Sequence, residues 1–280
     1  MKQITKIFAL STAFVAMPAA AQEVTTDTYD GFYIGAALGG DFVDDARNDR
    51  LIFDTDGNGV FDNTVQTGTG ADAFSPGFCA GDANGSRFVD GCGDDDAALG
   101  YSVRVGYDRR VGNSALVAGF LVEGELANAT DYTTGFSTTP ASYTVARSLD
   151  KSVALRGRIG ASPGDGRGLI YATGGIAYGQ IDHEFFTTNG VNSFEVVDSG
   201  KWQLGAQFGG GVEVMVASGV TFGIEYLYSS YDDDDAYVAV GQGTAPATNP
   251  FVRANGGTDI ATTSGDFDKH SVRATVGYRF

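Results

Sequence analysis

The feature that most constrains the fold is a set of eight segments in which apolar and polar residues alternate with a period of two. Such alternation places successive side chains on opposite faces of a β-strand. Each segment has about the ten residues that a tilted membrane-spanning strand requires. Helical periodicity is absent from all of them, so the sequence predicts an all-β protein with strands at residues 31–40, 97–110, 115–126, 151–161, 168–181, 200–216, 220–231 and 267–280.

The connections between these segments alternate strictly between long and short. The short ones lie around Gly112-Asn113, Pro163–Gly166 and Ser218-Gly219. A soluble β-sandwich has no reason to place all its long loops at one end, whereas outer-membrane barrels have short periplasmic turns and long extracellular loops. We therefore expect an eight-stranded antiparallel transmembrane β-barrel with long extracellular loops at residues 41–96, 127–150, 182–199 and 232–266.

The first residues predict export. Lys2 and Lys6 precede an apolar run that ends at Met17, and Ala19-Ala20-Ala21 follows. This is the pattern of a secretory signal peptide, and the apolar run is too short for a membrane anchor, which needs about 20 residues. We expect a signal peptide at 1–21, a barrel domain at 22–280 and a location in the bacterial outer membrane.

The first long loop is strongly acidic and contains both cysteines. The chain has a formal net charge of -17, which argues against nucleic-acid binding. Residues 41–96 hold thirteen Asp and only three Arg. In an oxidising compartment a cysteine pair this close in sequence favours a disulfide over a metal site, so we expect Cys79 and Cys92 to be joined.

Alternation also predicts which side chains face the barrel interior. An eight-stranded barrel is just filled by its inward side chains, and charges buried there must be paired. We expect an ion-pair network that closes the lumen; a selectivity lining for a pore is the alternative, but equal numbers of acids and arginines create no field of one sign. The predicted network comprises Glu123, Glu125, Glu213, Glu225, Arg104, Arg156, Arg158 and Arg273.

One stretch of the acidic loop resembles a calcium-binding loop. Asp54, Asp56, Asn58 and Asp62 occupy positions 1, 3, 5 and 9 of the EF-hand pattern. Oxygen ligands at alternate positions suit Ca²⁺, but position 12 is Val65 rather than Glu. A solvated acidic turn is the alternative. We expect no required cofactor and retain Ca²⁺ as a possible ligand.

Residues suited to catalysis are scarce. His183 and His270 are the only histidines, and acids at 182 and 232–235 lie near the predicted outer rim. A histidine beside acids can serve in acid-base hydrolysis, but no nucleophile motif accompanies it. We expect no enzymatic activity.

Four stretches resemble a known family. They are WQLGAQFGGGVEVMVASGVTFGIEYLYSSYD, SVRATVGYRF, DGFYIGAALGG and GLIYATGGIAYG. Together they are similar to the porin-like eight-stranded outer-membrane surface antigens related to opacity proteins and the OmpA barrel. The first loop departs from that family, because it is much longer here and carries the cysteines.

The resemblance implies a role and partners. Tyr278 and Phe280 resemble the aromatic C-terminal signal that the barrel-insertion machinery reads. We expect a structural, surface-exposed barrel in contact with outer-membrane lipid and lipopolysaccharide, with an unknown extracellular ligand. A minor passive diffusion porin and a Ca²⁺-ordered adhesin are the alternatives.

Overall fold

The computed structural model describes residues 29–43 and 49–280, so the predicted signal peptide lies outside the described residues. No helix in these two ranges is long and apolar enough to cross a membrane. The described part contains these strands: β1 Gly31–Val43, β2 Leu51–Asp54, β3 Gly77–Ala80, β4 Ala98–Arg110, β5 Leu116–Leu126, β6 Thr130–Phe136, β7 Ser142–Ala161, β8 Gly168–Thr187, β9 Ser193–Val197, β10 Lys201–Ala217, β11 Val220–Asp232, β12 Tyr237–Gly241, β13 Thr258–Thr262 and β14 Asp266–Arg279.

Eight of these strands form a closed antiparallel barrel. Their order around the ring is β7, β5, β4, β1, β14, β11, β10 and β8, and the pairing of β8 with β7 closes it. Short turns join β4 to β5, β7 to β8 and β10 to β11 at one end, which we call the turn end; the opposite end is the loop end. Gly219 has φ +74° in the two-residue turn before β11, a conformation that favours glycine. The predicted fold class is confirmed.

Side chains on the barrel strands alternate as the sequence predicts. On β11, Phe222, Ile224 and Tyr226 are exposed on the outside, whereas Thr221 and Glu225 are buried inside. The other barrel strands share this pattern, so an apolar band covers the outer wall. A shift of one residue would exchange the two faces, and this fixes the register of each strand.

The long loops are more ordered than the sequence predicts. The ranges 127–150 and 182–199 are not wholly loops, because β7 and β8 each continue for 20 residues and extend beyond the loop end. β6 pairs with the extended part of β7, and β3 pairs with β6. β2, β13, β12 and β9, which come from three different loops, form a separate four-stranded sheet. We call β2, β3, β6, β9, β12, β13 and their connections the cap.

The cap has its own hydrophobic core. Phe74 lies at its centre, with ring-centroid distances of 4.5 Å to Phe53, 5.2 Å to Tyr143 and 5.9 Å to Phe251. These four rings are almost fully buried, together with aliphatic residues from the first, second and fourth loops, and partly buried residues of the third loop pack against this core. Burial of so much apolar surface makes the cap a packed structure.

A disulfide crosslinks the part of the cap that comes from the first loop. Cys79 lies in β3 and is bonded to Cys92, so the predicted disulfide is confirmed. β3 pairs with β6 in an antiparallel arrangement, in which Cys79 lies opposite Thr134. The covalent bond therefore attaches the acidic segment 80–91 to the sheet that extends from the barrel.

Candidate functional site: the charged lumen and its outer junction

All eight charged residues predicted for the lumen lie inside the barrel. They come from β4, β5, β7, β10, β11 and β14, at the alternate strand positions whose side chains point inward. Each is at most 6% exposed. Charges buried this deeply are stable only when they are paired, and the structure groups them into three layers along the barrel axis.

The central layer contains two glutamates and three arginines. Glu123 lies 3.0 Å from Arg104, 3.0 Å from Arg156 and 2.8 Å from Arg273. Glu225 contacts the same three arginines, at 3.2, 3.5 and 2.7 Å respectively. Every acid of this layer thus touches every base, and the Tyr171 hydroxyl also donates a hydrogen bond of 2.7 Å to Glu225.

The outer layer lies next to it on the side of the loop end. Lys269 is fully buried and lies 2.6 Å from Glu125 and 3.3 Å from Asp41. Glu125 also lies 3.9 Å from Arg273, which links this layer to the central one. Ser271 donates a hydrogen bond of 2.5 Å to Asp41.

The inner layer lies towards the turn end. Arg158 lies 2.9 Å from Glu213 and forms an ion pair with Asp108, which also pairs with Arg279. Tyr33 packs against both guanidinium groups, at 4.7 Å from Arg158 and 4.9 Å from Arg279. Such cation–π contacts suit a guanidinium that has lost its water.

A residue that precedes the first strand is also buried at the turn end of the lumen. Tyr29 is fully buried, and the Arg279 guanidinium lies 4.8 Å from the centre of its ring. Its hydroxyl donates to the Arg167 carbonyl at 3.3 Å. Sequence reasoning missed Tyr29, because it lies outside the alternating segments.

Four charged members of the layers were also missing from the predicted network. Asp41, Asp108, Lys269 and Arg279 are each at most 2% exposed. Asp108, Lys269 and Arg279 alternate in step with the inward residues of their predicted strands, so the pattern could have identified them, whereas Asp41 lies just beyond the predicted end of its strand. With them, the three layers hold six acids and six bases.

A second charged group, the junction cluster, lies where the cap meets the barrel. It consists of Asp49, Asp131, Arg147, His183 and Asp233. Arg147 Nε donates to Asp131 at 2.9 Å, and its other nitrogens lie 3.5 Å from Asp49 and 3.7 Å from Asp233. Sequence reasoning singled out His183 and the acids at 232–235, which include Asp233, but it did not single out Asp49, Asp131 or Arg147.

The predicted calcium ligands form a hydrogen-bonded turn at the end of β2. Asp54 accepts backbone N–H groups from Asp56 at 3.1 Å, Gly57 at 2.8 Å and Gly59 at 2.7 Å. Asn58 donates to Asp56, and Asp62 accepts from Asn63. Within residues 29–43 and 49–280, no group of three or more His, Cys, Asp or Glu side chains is arranged to hold a metal ion.

The remaining predicted residues lie on the outer wall. His270 Nδ1 is 2.7 Å from the Tyr226 hydroxyl, and its ring packs against Tyr228. Tyr278 and Phe280 are about half exposed and make an edge-to-face contact at 5.2 Å. Both aromatic residues face outward at the turn end, and their role as an assembly signal stays a prediction.

A comparison with solved structures finds similar outer-membrane proteins. The outer membrane protein OprG from Pseudomonas aeruginosa is similar, with a TM-score of 0.52 and 11% identity over 91% of this chain and 99% of its own. Neisserial surface protein A gives a TM-score of 0.37 and 12% identity over 89% of this chain and 97% of its own. The outer membrane protease OmpT from Escherichia coli gives 0.44 and 8% identity over 90% of this chain and 98% of its own. The comparison with curated protein sequences gives no match.

A family model decides the classification. The model described as "outer membrane protein beta-barrel domain" matches residues 7–280, which is nearly the whole chain. The match agrees with the closed ring of eight strands and the apolar outer wall described above. The chain belongs to the outer-membrane β-barrel family of bacterial proteins.

Proposed function

We propose that the protein is a non-conducting surface barrel: its wall anchors the cap at the cell surface, and its three charged layers close the lumen. The observation that carries this proposal is the position of Glu225. Glu225 is on β11, three strands from Arg104 on β4 in one direction and three strands from Arg156 on β7 in the other. Contacts between strands so far apart in an eight-stranded ring must cross the interior.

The charge balance of the layers supports closure over selective conduction. Six acids and six bases give the lumen no field of one sign, which a selective pore requires. Moving one charged side chain out of its layer would leave buried charge that its partners no longer balance, at a large cost in free energy. Apolar side chains also cover the outer layer at the loop end: Leu149, Ile181, Tyr231 and Phe267.

Planar-bilayer recording tests this proposal. The full chain, folded into lipid, is expected to give no steady conductance, because the paired side chains leave no continuous water path. A large porin reconstituted in the same bilayers is the positive control, and the fast electrophoretic mobility of unheated protein verifies folding. A steady conductance on the scale of that porin would refute closure and support a passive diffusion channel instead.

We propose no catalytic role. The two histidines face opposite sides of the barrel wall, because His183 is buried in the junction cluster and His270 packs on outward tyrosines. They therefore do not contribute to one site. The outer wall and the cap are instead proposed to contact outer-membrane lipid and lipopolysaccharide, after assembly by the barrel-insertion machinery.

We also propose that the turn at Asp54 needs no Ca²⁺. Both carboxylate oxygens of Asp54 already accept backbone N–H groups. These hydrogen bonds outweigh the effect of burial and keep the pKa of Asp54 below its usual value. Protease cleavage between residues 49 and 96 is therefore expected to proceed at the same rate with and without a chelator. Faster cleavage with chelator would favour a Ca²⁺-ordered adhesin.

A further inference from the structure

The junction cluster joins residues from all four extracellular connections. Asp49 comes from the first, Asp131 and Arg147 from the second, His183 from the third and Asp233 from the fourth. Arg147 also donates hydrogen bonds to two backbone carbonyls just before and at the start of β14, at 3.0 and 3.2 Å. The cluster is therefore a buried polar contact between the cap and the mouth of the barrel.

The cluster holds more negative than positive charge. Three buried carboxylates, those of Asp49, Asp131 and Asp233, face the single guanidinium of Arg147. Uncompensated charge in a buried site is costly. Within the cluster, His183 is the residue that can add a second positive charge, since its Nε2 lies 3.1 Å from Asp233 Oδ2.

Two atoms in the cluster are buried without a hydrogen-bond partner. They are His183 Nδ1 and Asp233 Oδ1. The side chain of His183 is only 6% exposed and that of Asp233 is fully buried. A neutral imidazole presents either a lone pair or an N–H to this carboxylate, depending on the tautomer, whereas the protonated ring always donates. Protonation therefore secures the contact between His183 and Asp233.

The other charged and titratable groups around His183 determine which sign of charge surrounds its ring. Arg147 lies directly opposite on β7, and its positive charge opposes protonation. Glu184, on the same strand as His183, and Tyr237 of β12 line the small cavity beside the ring, and Asp182 precedes it in the chain. Acids therefore outnumber the one arginine around the ring, and a proton on His183 would add positive charge to a group with an excess of carboxylates.

We propose that the junction cluster is a proton-binding site, in which protonation of His183 balances the buried carboxylates and tightens the cap onto the barrel. This property goes beyond a closed barrel and does not depend on it. The protonated state stabilises the assembled junction. Protection of the cap is therefore greatest at mildly acidic pH and falls as the pH rises through the interval, about 5 to 8, in which imidazoles lose their charge.

Hydrogen exchange on the full chain in lipid bilayers tests the site. Amides of β9, β12 and β13 are compared at about pH 5.5 and pH 8, after correction for the intrinsic exchange rate. We expect several-fold slower exchange at the lower pH in the wild type. His183→Gln should abolish this difference, whereas His270→Gln, which removes the other histidine, should retain it.

Two outcomes would overturn the proposal. One is a wild-type cap with equal protection at both pH values. The other is a pH response that persists in His183→Gln, which would assign the proton to Asp131, whose pKa is raised by burial although Arg147 lowers it. If His183→Gln does not fold, histidine-selective NMR of the wild type provides the test, because the His183 ring must titrate together with cap protection.

Discussion

Replacing Glu225 with Gln is expected to lower the free energy of unfolding of the barrel by about 3 to 5 kcal/mol, the cost of breaking a buried ion pair from one side. The substitution removes the negative charge shared by Arg104, Arg156 and Arg273. Glu123 would then be the one acid of the central layer facing three buried arginines. Denaturant unfolding in lipid vesicles, followed by the fluorescence of Trp202, the single tryptophan, measures the change.

A matched control separates pairing from the loss of one negative charge. Glu195 is exposed in the cap, so Glu195→Gln should change the unfolding midpoint little. The double variant Glu225→Gln with Arg104→Met should be less destabilised than the two single effects added together, because it removes one of the unpaired charges. An unchanged midpoint for Glu225→Gln would show that the central layer does not hold the barrel together.

Replacing Arg147 with Met is expected to release the cap while the barrel stays folded. Three buried carboxylates would lose their shared guanidinium, again at a cost of about 3 to 5 kcal/mol. The barrel strands keep their own hydrogen bonds and the lumen layers, so the loss should be confined to the cap. Hydrogen exchange should accelerate in β9, β12 and β13 and remain slow in β1, β4 and β5.

Arg50 provides the control for this experiment. It is exposed and adjacent to Asp49, so Arg50→Met removes the same charge without disturbing a buried contact. Hydrogen exchange in the cap of the Arg50→Met variant should match that of the wild type. Uniform acceleration across barrel and cap in Arg147→Met would show that the two parts unfold as one cooperative unit, and would contradict a junction that acts locally.

The barrel itself could be derived from the sequence, because its signal is local. Outward Phe222 and Ile224 against inward Glu225 identify the faces of β11 without knowledge of any neighbour. The same alternation places Glu123 and Arg156 inside the barrel. A basic residue that faces lipid near the bilayer midplane costs about 2 to 4 kcal/mol. The charged residues of a membrane strand therefore mark its inward face without reference to any other strand.

The partners of those charges, and the cap, were decided only by the tertiary structure. Which acid meets which base across the lumen depends on how far each strand is staggered against the next, and alternation does not encode that stagger. The cap strands have only four to seven residues, too few for a clear period, and they pair across long separations, as Asp54 does with Asp259. Arg147 and His183 lie in one cluster because closure of the ring brings four loops together at the same end of the barrel. Charges buried there are stable only when they are paired.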